Sequence, residues 1–180
     1  MNNMKRVSLR VQRGELFLLG VALSVLVLDQ LTKQYVVSNL HLGVPWNPIE
    51  SLRKYISLTY ITNTGAAFGM FPAFGTFFAV VAVVVVVAIL FYHRQLSSGH
   101  WTMHLGLGLQ LGGAFGNLTD RLRWGHVIDF IDVKVWPVFN VADSSIVIGV
   151  ALLALSLLRE GEAEPEGEIS PMDPDPGPIR

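Results

Sequence analysis

The stretch LLGVALSVLVLD, residues 18–29, is almost entirely apolar until it ends on an acid. A helix of roughly 20 such residues crosses a bilayer core of about 30 Å, and we place a transmembrane span at about residues 16–37. At 1.5 Å per residue, Asp29 would lie about 20 Å along this helix. Because a charge inside a membrane is costly, an acid at this depth indicates an interfacial ion pair or a functional site.

Three further apolar segments predict that the chain crosses the membrane four times. They are residues 71–92, 101–122 and 141–158. The first of them contains FFAVVAVVVVVAILFY (77–92), whose β-branched residues are poor helix formers in water but have little alternative in lipid. The composition agrees, because 51% of the residues are hydrophobic and only 15% are charged, whereas soluble domains are about a quarter charged.

The charges are separated into two clusters, which predicts how the spans are oriented. Four basic residues of the N-terminal arm favour a cytoplasmic N-terminus, and four spans return the C-terminus to the same side. We predict one membrane domain over residues 1–158 and a disordered tail over residues 159–180, which are acidic and rich in proline and glycine. The net charge of −1 averages the two clusters and gives no reason to expect a nucleic-acid partner.

The loop between the first two spans, residues 38–70, has the character of a strand. It contains KYISLTYIT (54–62), an alternating segment rich in β-branched and aromatic residues. Pro45, Pro48 and the NTG sequence punctuate it as turns. The predicted fold is therefore an all-α membrane protein with four transmembrane helices and a small extracytoplasmic β-cradle between helices 1 and 2.

The residue inventory excludes several kinds of catalytic site. The chain has no cysteine, so it has no disulfide framework, thiolate nucleophile or Cys-ligated metal site. Its five histidines show no His-Glu-x-x-His or comparable ligand spacing. We therefore expect neither a metal ion nor another cofactor.

Polar side chains recur near the ends of the first and third spans. Lys33 follows Asp29 at i+4 on the same helical face, so the two could form an interfacial pair with Lys33 snorkelling outward. Asn117, Asp120 and Arg121 also share one face, beside glycines that let helices approach closely. These three form either a structural group, with an Asp120–Arg121 ion pair, or part of a pocket.

Three aspartates lie close to the start of the fourth span. Asp143 falls in the first helical turn, where the macrodipole favours an anion, so it could simply cap the helix. Asn140 lies three residues earlier and can face the same way. Asp129 or Asp132 could converge on Asp143 from the outer loop; on a strand these two point to opposite faces, so only one of them could do so.

A close pair of carboxylates has a specific chemistry. Like charges a few ångströms apart cannot both ionise, so the pair holds one proton near neutral pH. The ionised member can take a proton from water while the protonated member polarises a carbonyl. This is the chemistry of an aspartic peptidase, which needs neither a metal nor a nucleophilic side chain.

Five motifs, in order along the chain, resemble those of the lipoprotein signal peptidases, also called type II signal peptidases. The motifs are DQLTK (29–33), NTGAAFG (63–69), GGAFGNLTDRL (112–122), VIDF (127–130) and FNVAD (139–143). The resemblance covers nearly all of residues 15–158. It implies a multi-pass aspartic endopeptidase of the bacterial inner membrane, with its active site near the outer face. Such an enzyme removes the signal peptide of a prolipoprotein, cutting before a Cys that carries diacylglycerol.

The resemblance also assigns residues and partners. By matching motifs, Asp129 and Asp143 would be the catalytic pair. The implied supporting residues around the substrate are Asp29, Asn63, Gly65, Asn117, Arg121, Asn140 and Ala142. The expected partners are lipid-modified prolipoprotein signal peptides, membrane lipid and the inhibitor globomycin, and we expect the chain to act as a monomer.

Two other functions fit some of these residues. A small ion- or proton-coupled membrane transport protein could use Asp29, Asp129 and Asp143 as relay sites, although polar residues gathered at one face suit a surface site better than a path through the membrane. A metal-dependent lipid-head-group transferase would need several close carboxylates around a cation.

Two features depart from the family pattern: the stretch between Asp129 and Asp143 is short, and the acidic tail has no counterpart.

Overall fold

The computed structural model of the protein describes residues 2–65 and 101–163, together with residues 80, 84, 87, 88 and 91 between them. Most of the predicted second span, residues 71–92, therefore lies outside the described residues, as does the end of the predicted tail, residues 164–180. The described part contains three long helices and a small antiparallel sheet.

The long helices coincide with three of the predicted spans. They are α1 (Asn2–Asn39), α2 (Trp101–Trp124) and α3 (Val141–Ala163). Within α1, Arg13–Asn39 is long and apolar enough to cross a membrane, and Val141–Ser156 of α3 is a shorter apolar stretch. The last helix continues five residues beyond the predicted boundary at 158, so the start of the predicted disordered tail is helical. The reason is local, because Arg159, Glu160, Glu162 and Ala163 include strong helix formers.

Helix α2 lies between α1 and α3 and packs closely on both through glycines. A Cβ atom added at Gly112 would lie 2.5 Å from the carbonyl oxygen of Ala22 on α1. On the other side, a Cβ atom added at Gly113 would lie 2.5 Å from the carbonyl oxygen of Ala142 on α3. Neither distance leaves room for a side chain, so the backbones approach as small residues allow in membrane helix pairs.

The sheet has three strands in the order β1-β2-β3, namely β1 (Pro45–Trp46), β2 (Ser57–Asn63) and β3 (Val127–Asp132). The first two strands lie in the loop of residues 38–70, where a strand is predicted. A short 3₁₀ helix, Glu50–Leu52, connects them. The third strand comes from the loop between α2 and α3, so the predicted placement of the cradle between helices 1 and 2 is incomplete. Two acids among the six residues of VIDFID weaken its strand signal in sequence.

The pairing of β2 with β3 carries one catalytic candidate to the end of the helices. Ile61 lies opposite Asp129, and Asn63 lies opposite Val127. The register shifts between Leu58 and Ile61, as at a β-bulge, and bulges re-aim side chains next to functional sites. Beneath the sheet, Val36, Ile128 and Phe130 form a buried apolar cluster that fixes β3 against the end of α1.

The glycine contacts give a matched test of the packing. Gly112→Ala should lower the free energy of unfolding by about 1–3 kcal/mol, because the added methyl group overpacks the interface of α1 and α2. Gly20→Ala is the control, since a Cβ atom there meets nothing within 4 Å and alanine favours the helix by about 1 kcal/mol. Thermal unfolding in detergent should therefore shift in opposite directions for the two variants; equal shifts would contradict the close approach at Gly112.

Candidate active site

Asp129 and Asp143 line one cleft, although they come from different elements. Asp129 lies on β3 and Asp143 lies in the first turn of α3. The cleft has a volume of about 270 Å³. Four other residues implied by the family resemblance also line it: Asn63, Gly65, Asn117 and Arg121. Six of the nine predicted site residues are thus brought together around one space.

Both oxygens of Asp129 accept hydrogen bonds from side-chain amides. Asn140 Nδ2 donates to Asp129 Oδ1 at 2.7 Å, and Asn63 Nδ2 donates to Asp129 Oδ2 at 2.9 Å. The Asn63 amide is held in turn, because Gly65 N donates to Asn63 Oδ1 at 3.0 Å. A backbone N–H can only donate, so it fixes which end of the Asn63 amide faces the carboxylate.

Asp143 and Asn140 form a reciprocal cap at the start of α3. Asp143 N donates to Asn140 Oδ1 at 2.9 Å, and Asn140 N lies 3.3 Å from Asp143 Oδ2. This arrangement resembles a capping box, in which the residues before and within the first turn satisfy each other's backbone. Asn117 Nδ2 donates to the remaining oxygen, Asp143 Oδ1, at 2.7 Å. Asp143 is therefore a helix cap and a cleft residue at once.

Three of the predicted residues, Asp29, Asn140 and Ala142, lie behind the cleft and have 0% exposed surface. Asp29 Oδ1 accepts a hydrogen bond from Ala142 N at 3.0 Å, which ties α1 to the first turn of α3. Gly116 makes room for this contact, since a Cβ atom there would lie 2.5 Å from Asp29 Oδ2. These residues hold the carboxylates in place and do not line the cleft.

The ion pairs behind the cleft confirm the predicted pairing of Asp29 with Lys33, but they place Lys33 inside the protein and pair Asp120 with Lys33. Lys33 does not snorkel outward: it is 2% exposed, and its Nζ lies 2.9 Å from Asp29 Oδ2 and 2.8 Å from Asp120 Oδ2. Asp120 thus pairs with Lys33 and also accepts a hydrogen bond from Ile128 N at 3.1 Å. Arg121 lines the cleft from the last turn of α2. The i+4 spacing predicts that Lys33 lies beside Asp29. It does not predict Asp120, the third member of the cluster, which comes from α2.

Asp132 belongs to a separate cluster on the sheet. Its Oδ2 accepts hydrogen bonds from Thr59 at 3.1 Å and from Lys134 Nζ at 2.7 Å. Burial acts to raise the pKa of Asp132, but the hydrogen bonds from Lys134 and Thr59 outweigh it and the pKa is lowered. Asp132 is therefore an ordinary ionised carboxylate, consistent with its pointing away from Asp129 on the strand.

The pKa of Asp129 is raised to about 6, chiefly by burial and secondly by the nearby negative charge of Asp143. The hydrogen bonds from Asn63 and Asn140, and the charge of Lys33, act in the opposite direction. The pKa values of Asp129 and Asp132, three residues apart in sequence, are thus shifted in opposite directions, because only Asp129 is buried beside a second carboxylate.

An apolar groove continues from the cleft along the outer side of α3. It has a volume of about 410 Å³ and is lined by Trp136, Phe139, Asp143, Ser144, Val147 and Ile148. Trp136, Phe139, Asp143 and Val147 also line the cleft, so the two spaces are continuous. The residues of WPVF (136–139) are not among the predicted site residues, and their signal in the sequence is an apolar run within the loop before α3.

Comparison with known proteins agrees with this architecture. Residues 21–159 match the family model described as signal peptidase (SPase) II. The chain is 43% identical over 140 residues to a lipoprotein signal peptidase of Halothermothrix orenii, covering 78% of this chain and 94% of the relative. It is 44% identical over 138 residues to a lipoprotein signal peptidase of Moorella thermoacetica, covering 77% and 90%.

Solved structures extend the agreement to the fold. A bacterial membrane enzyme determined by the in meso method at 2.3 Å superposes with a TM-score of 0.73 at 30% identity, covering 83% of this chain and 92% of that one. A second, determined by the same method at 1.9 Å, superposes with a TM-score of 0.67 at 31% identity, covering 78% and 91%. With a family model matching most of its length and relatives above 40% identity, the chain belongs to the signal peptidase II family.

Proposed function

We propose that the protein is an aspartic endopeptidase that removes the signal peptide of diacylglyceryl-modified prolipoproteins, cutting before the lipidated Cys. The observation that carries the proposal is the cleft in which Asp129 and Asp143 meet, with both carboxylates held by asparagine amides. The family membership supports the same reading. It gives no support to the alternative of a transport protein.

The hydrolysis needs one proton shared by the two carboxylates. We assign it to Asp129, because burial and the nearby charge of Asp143 raise the pKa of this carboxyl group to about 6. Asp143 removes a proton from a water molecule, whose oxygen attacks the scissile carbonyl while Asp129 donates its proton to the carbonyl oxygen. On collapse of the tetrahedral intermediate, the carbonyl oxygen returns its proton to Asp129, and Asp143 gives its proton to the leaving amine. The products are the signal peptide carboxyl group and the free amino group of the lipidated Cys.

The surroundings of the cleft suit a substrate that is half in lipid. The apolar groove beside Asp143 opens along α3, so a signal helix and acyl chains can remain in lipid while the scissile bond enters the cleft. This arrangement avoids exposing acyl chains to water, at a cost of about 0.8 kcal/mol per CH₂ group. Asn117 and Arg121 line the same cleft and can bind the extended backbone, whose amides have no internal partners.

The positions of the sheet and of the basic arm support one orientation in the membrane. The sheet follows the C-terminal end of α1, whereas the basic arm is at the N-terminal end of the same helix. The basic arm favours the cytoplasm. The site therefore lies near the outer face of the bacterial inner membrane, with both termini cytoplasmic.

The decisive assay uses a purified prolipoprotein carrying diacylglycerol on its lipobox Cys. Incubation with the purified protein should yield the shortened product, seen as a mass loss equal to the signal peptide. Globomycin should block the reaction by occupying the cleft, and a chelator should have no effect, because no step uses a metal. Absence of the product with active-site residues intact would refute the proposal, and loss of activity with the chelator would point to the metal-dependent alternative.

The catalytic pair is tested by replacing each carboxyl group with an amide of the same shape. Asp129→Asn and Asp143→Asn should each lower kcat by roughly 10²–10⁴-fold, because the pair can no longer transfer a proton. Asp132→Asn is the matched control, since Asp132 binds Thr59 and Lys134 outside the cleft, and it should retain most of the activity. Substantial turnover by either of the first two variants would rule out the pair.

The raised pKa of Asp129 predicts the pH dependence. kcat/KM should fall as the pH rises through about 6, because the free enzyme then loses the shared proton. The hydrogen bond from Asn63 lowers the pKa of Asp129, so Asn63→Ala should move this fall to higher pH. Asp132→Asn again serves as the control and should leave the midpoint in place. A midpoint that moves to lower pH in Asn63→Ala would contradict the assignment of the proton to Asp129.

A further inference from the structure

Lys33 is a buried cation whose three donors are all in use. Its Nζ lies 2.9 Å from Asp29 Oδ2, 2.8 Å from Asp120 Oδ2 and 3.1 Å from Asn117 Oδ1. Its side chain is 2% exposed and does not line the cleft. An ammonium group has three N–H donors and no acceptor. The ion pair with Asp29 lies within α1 and the ion pair with Asp120 joins α1 to α2, whereas the third contact reaches a residue of the cleft.

The third contact decides how the amide of Asn117 is oriented. The oxygen and nitrogen of an asparagine amide have nearly the same shape, so only hydrogen-bond partners choose between its two orientations. Because Lys33 can only donate, Asn117 Oδ1 must face it. Asn117 Nδ2 then faces Asp143 Oδ1, to which it donates at 2.7 Å. Rotation of the amide by 180° would place an oxygen against the carboxylate of Asp143.

Asn140 cannot enforce this orientation by itself. Its Nδ2 lies 3.1 Å from Asn117 Oδ1, but also 2.7 Å from Asp129 Oδ1 and 3.3 Å from the carbonyl oxygen of Ile128. Two N–H groups are therefore shared among three acceptors, and the shortest bond goes to the catalytic carboxylate. Lys33 has three N–H donors for its three acceptors, so its hydrogen bond to Asn117 Oδ1 does not compete with its other two contacts.

We infer that Lys33 is a positioning residue: by holding the Asn117 amide with its NH₂ group toward Asp143, it supplies the donor that stabilises negative charge on the catalytic pair. The inference rests on the proposed function and assigns a role to a residue that touches neither the substrate nor the reacting atoms. Lys33 acts through Asn117, and its loss should alter proton transfer more than substrate binding.

The sign of the pH effect follows from the charges around the pair. The charged groups that face Asn117 and the two carboxylates from the packed elements are Lys33, Asp29, Asp120, Arg121, Asp129 and Asp143. Replacing Lys33 by Met removes a positive charge and frees the Asn117 amide to turn its oxygen toward Asp143. Both changes disfavour negative charge on the pair, so both limbs of the pH–rate profile should move to higher pH.

The experiment compares Lys33→Met with Asp120→Asn in the purified, full-length protein. Lys33→Met should move the acid limb of kcat upward by about one pH unit, a roughly tenfold loss of rate at a fixed pH on that limb, with KM little changed. Asp120→Asn disturbs the same buried ion pair but leaves the donor to Asn117. Its profile should stay in place or move to lower pH, because a negative charge is lost.

A charge-matched double variant separates orientation from electrostatics. The cluster Asp29, Lys33 and Asp120 carries −1, and Lys33→Met combined with Asp120→Asn leaves Asp29 alone, again −1. The double variant also avoids leaving two buried carboxylates unpaired if the single variant folds poorly. It should still show the upward shift, because the donor to Asn117 is gone.

The outcomes distinguish the inference from the proposed function. An unshifted profile in the double variant, or a shift equal in size and direction to that of Asp120→Asn, would overturn the positioning role while leaving the peptidase intact. A wild-type protein that fails to cleave the lipidated prolipoprotein would refute the proposed function itself. An upward shift in the double variant with no such shift in Asp120→Asn is the result expected.

Discussion

The buried ammonium group of Lys33 is the interaction on which the described structure depends. It ties Asp29 of α1 to Asp120 of α2, and Asp29 in turn accepts a hydrogen bond from the first turn of α3. Removing charges from water is expensive, and their mutual attraction repays that cost only when every partner is satisfied. Here each carboxylate oxygen in the cluster has a donor, which is the condition for three helices to meet on buried charge in lipid.

The proposed catalytic pair, Asp129 and Asp143, is an electrostatically unfavourable arrangement that asparagine side chains stabilise. Asn63, Asn117 and Asn140 come from β2, α2 and the residue before α3, and each donates an N–H to one of the two carboxylates. These neutral donors offset the repulsion without neutralising either acid, so the pair can still share a proton. A lysine in the same positions would ionise both groups and end the acid–base asymmetry.

Sequence patterns predict the parts of this structure that depend on periodicity, and fail where distant segments meet. Hydropathy locates α2, the end of α1 and the start of α3 to within a few residues, but α1 begins at Asn2, well before the predicted residue 16, and α3 extends to Ala163. The alternation of KYISLTYIT predicts β2, but β3 is short and acidic and becomes a strand only by pairing with β2. The family motifs name the cleft residues, yet they do not separate those that line it from Asp29, Asn140 and Ala142 behind it. That difference is set by packing between helices, which no local pattern records.

The reciprocal cap of Asn140 and Asp143 makes one carboxylate of the proposed catalytic pair part of the start of a helix. Successive residues of an α-helix are rotated by about 100°, so one residue inserted or deleted between these two would swing the carboxylate out of the cleft as well as uncap the helix. Elsewhere in a loop such length changes are cheap. In this protein the length of FNVAD is therefore fixed both by the helix cap and by the position of Asp143 in the cleft. Changes in chain length should be confined to the segments on either side of it.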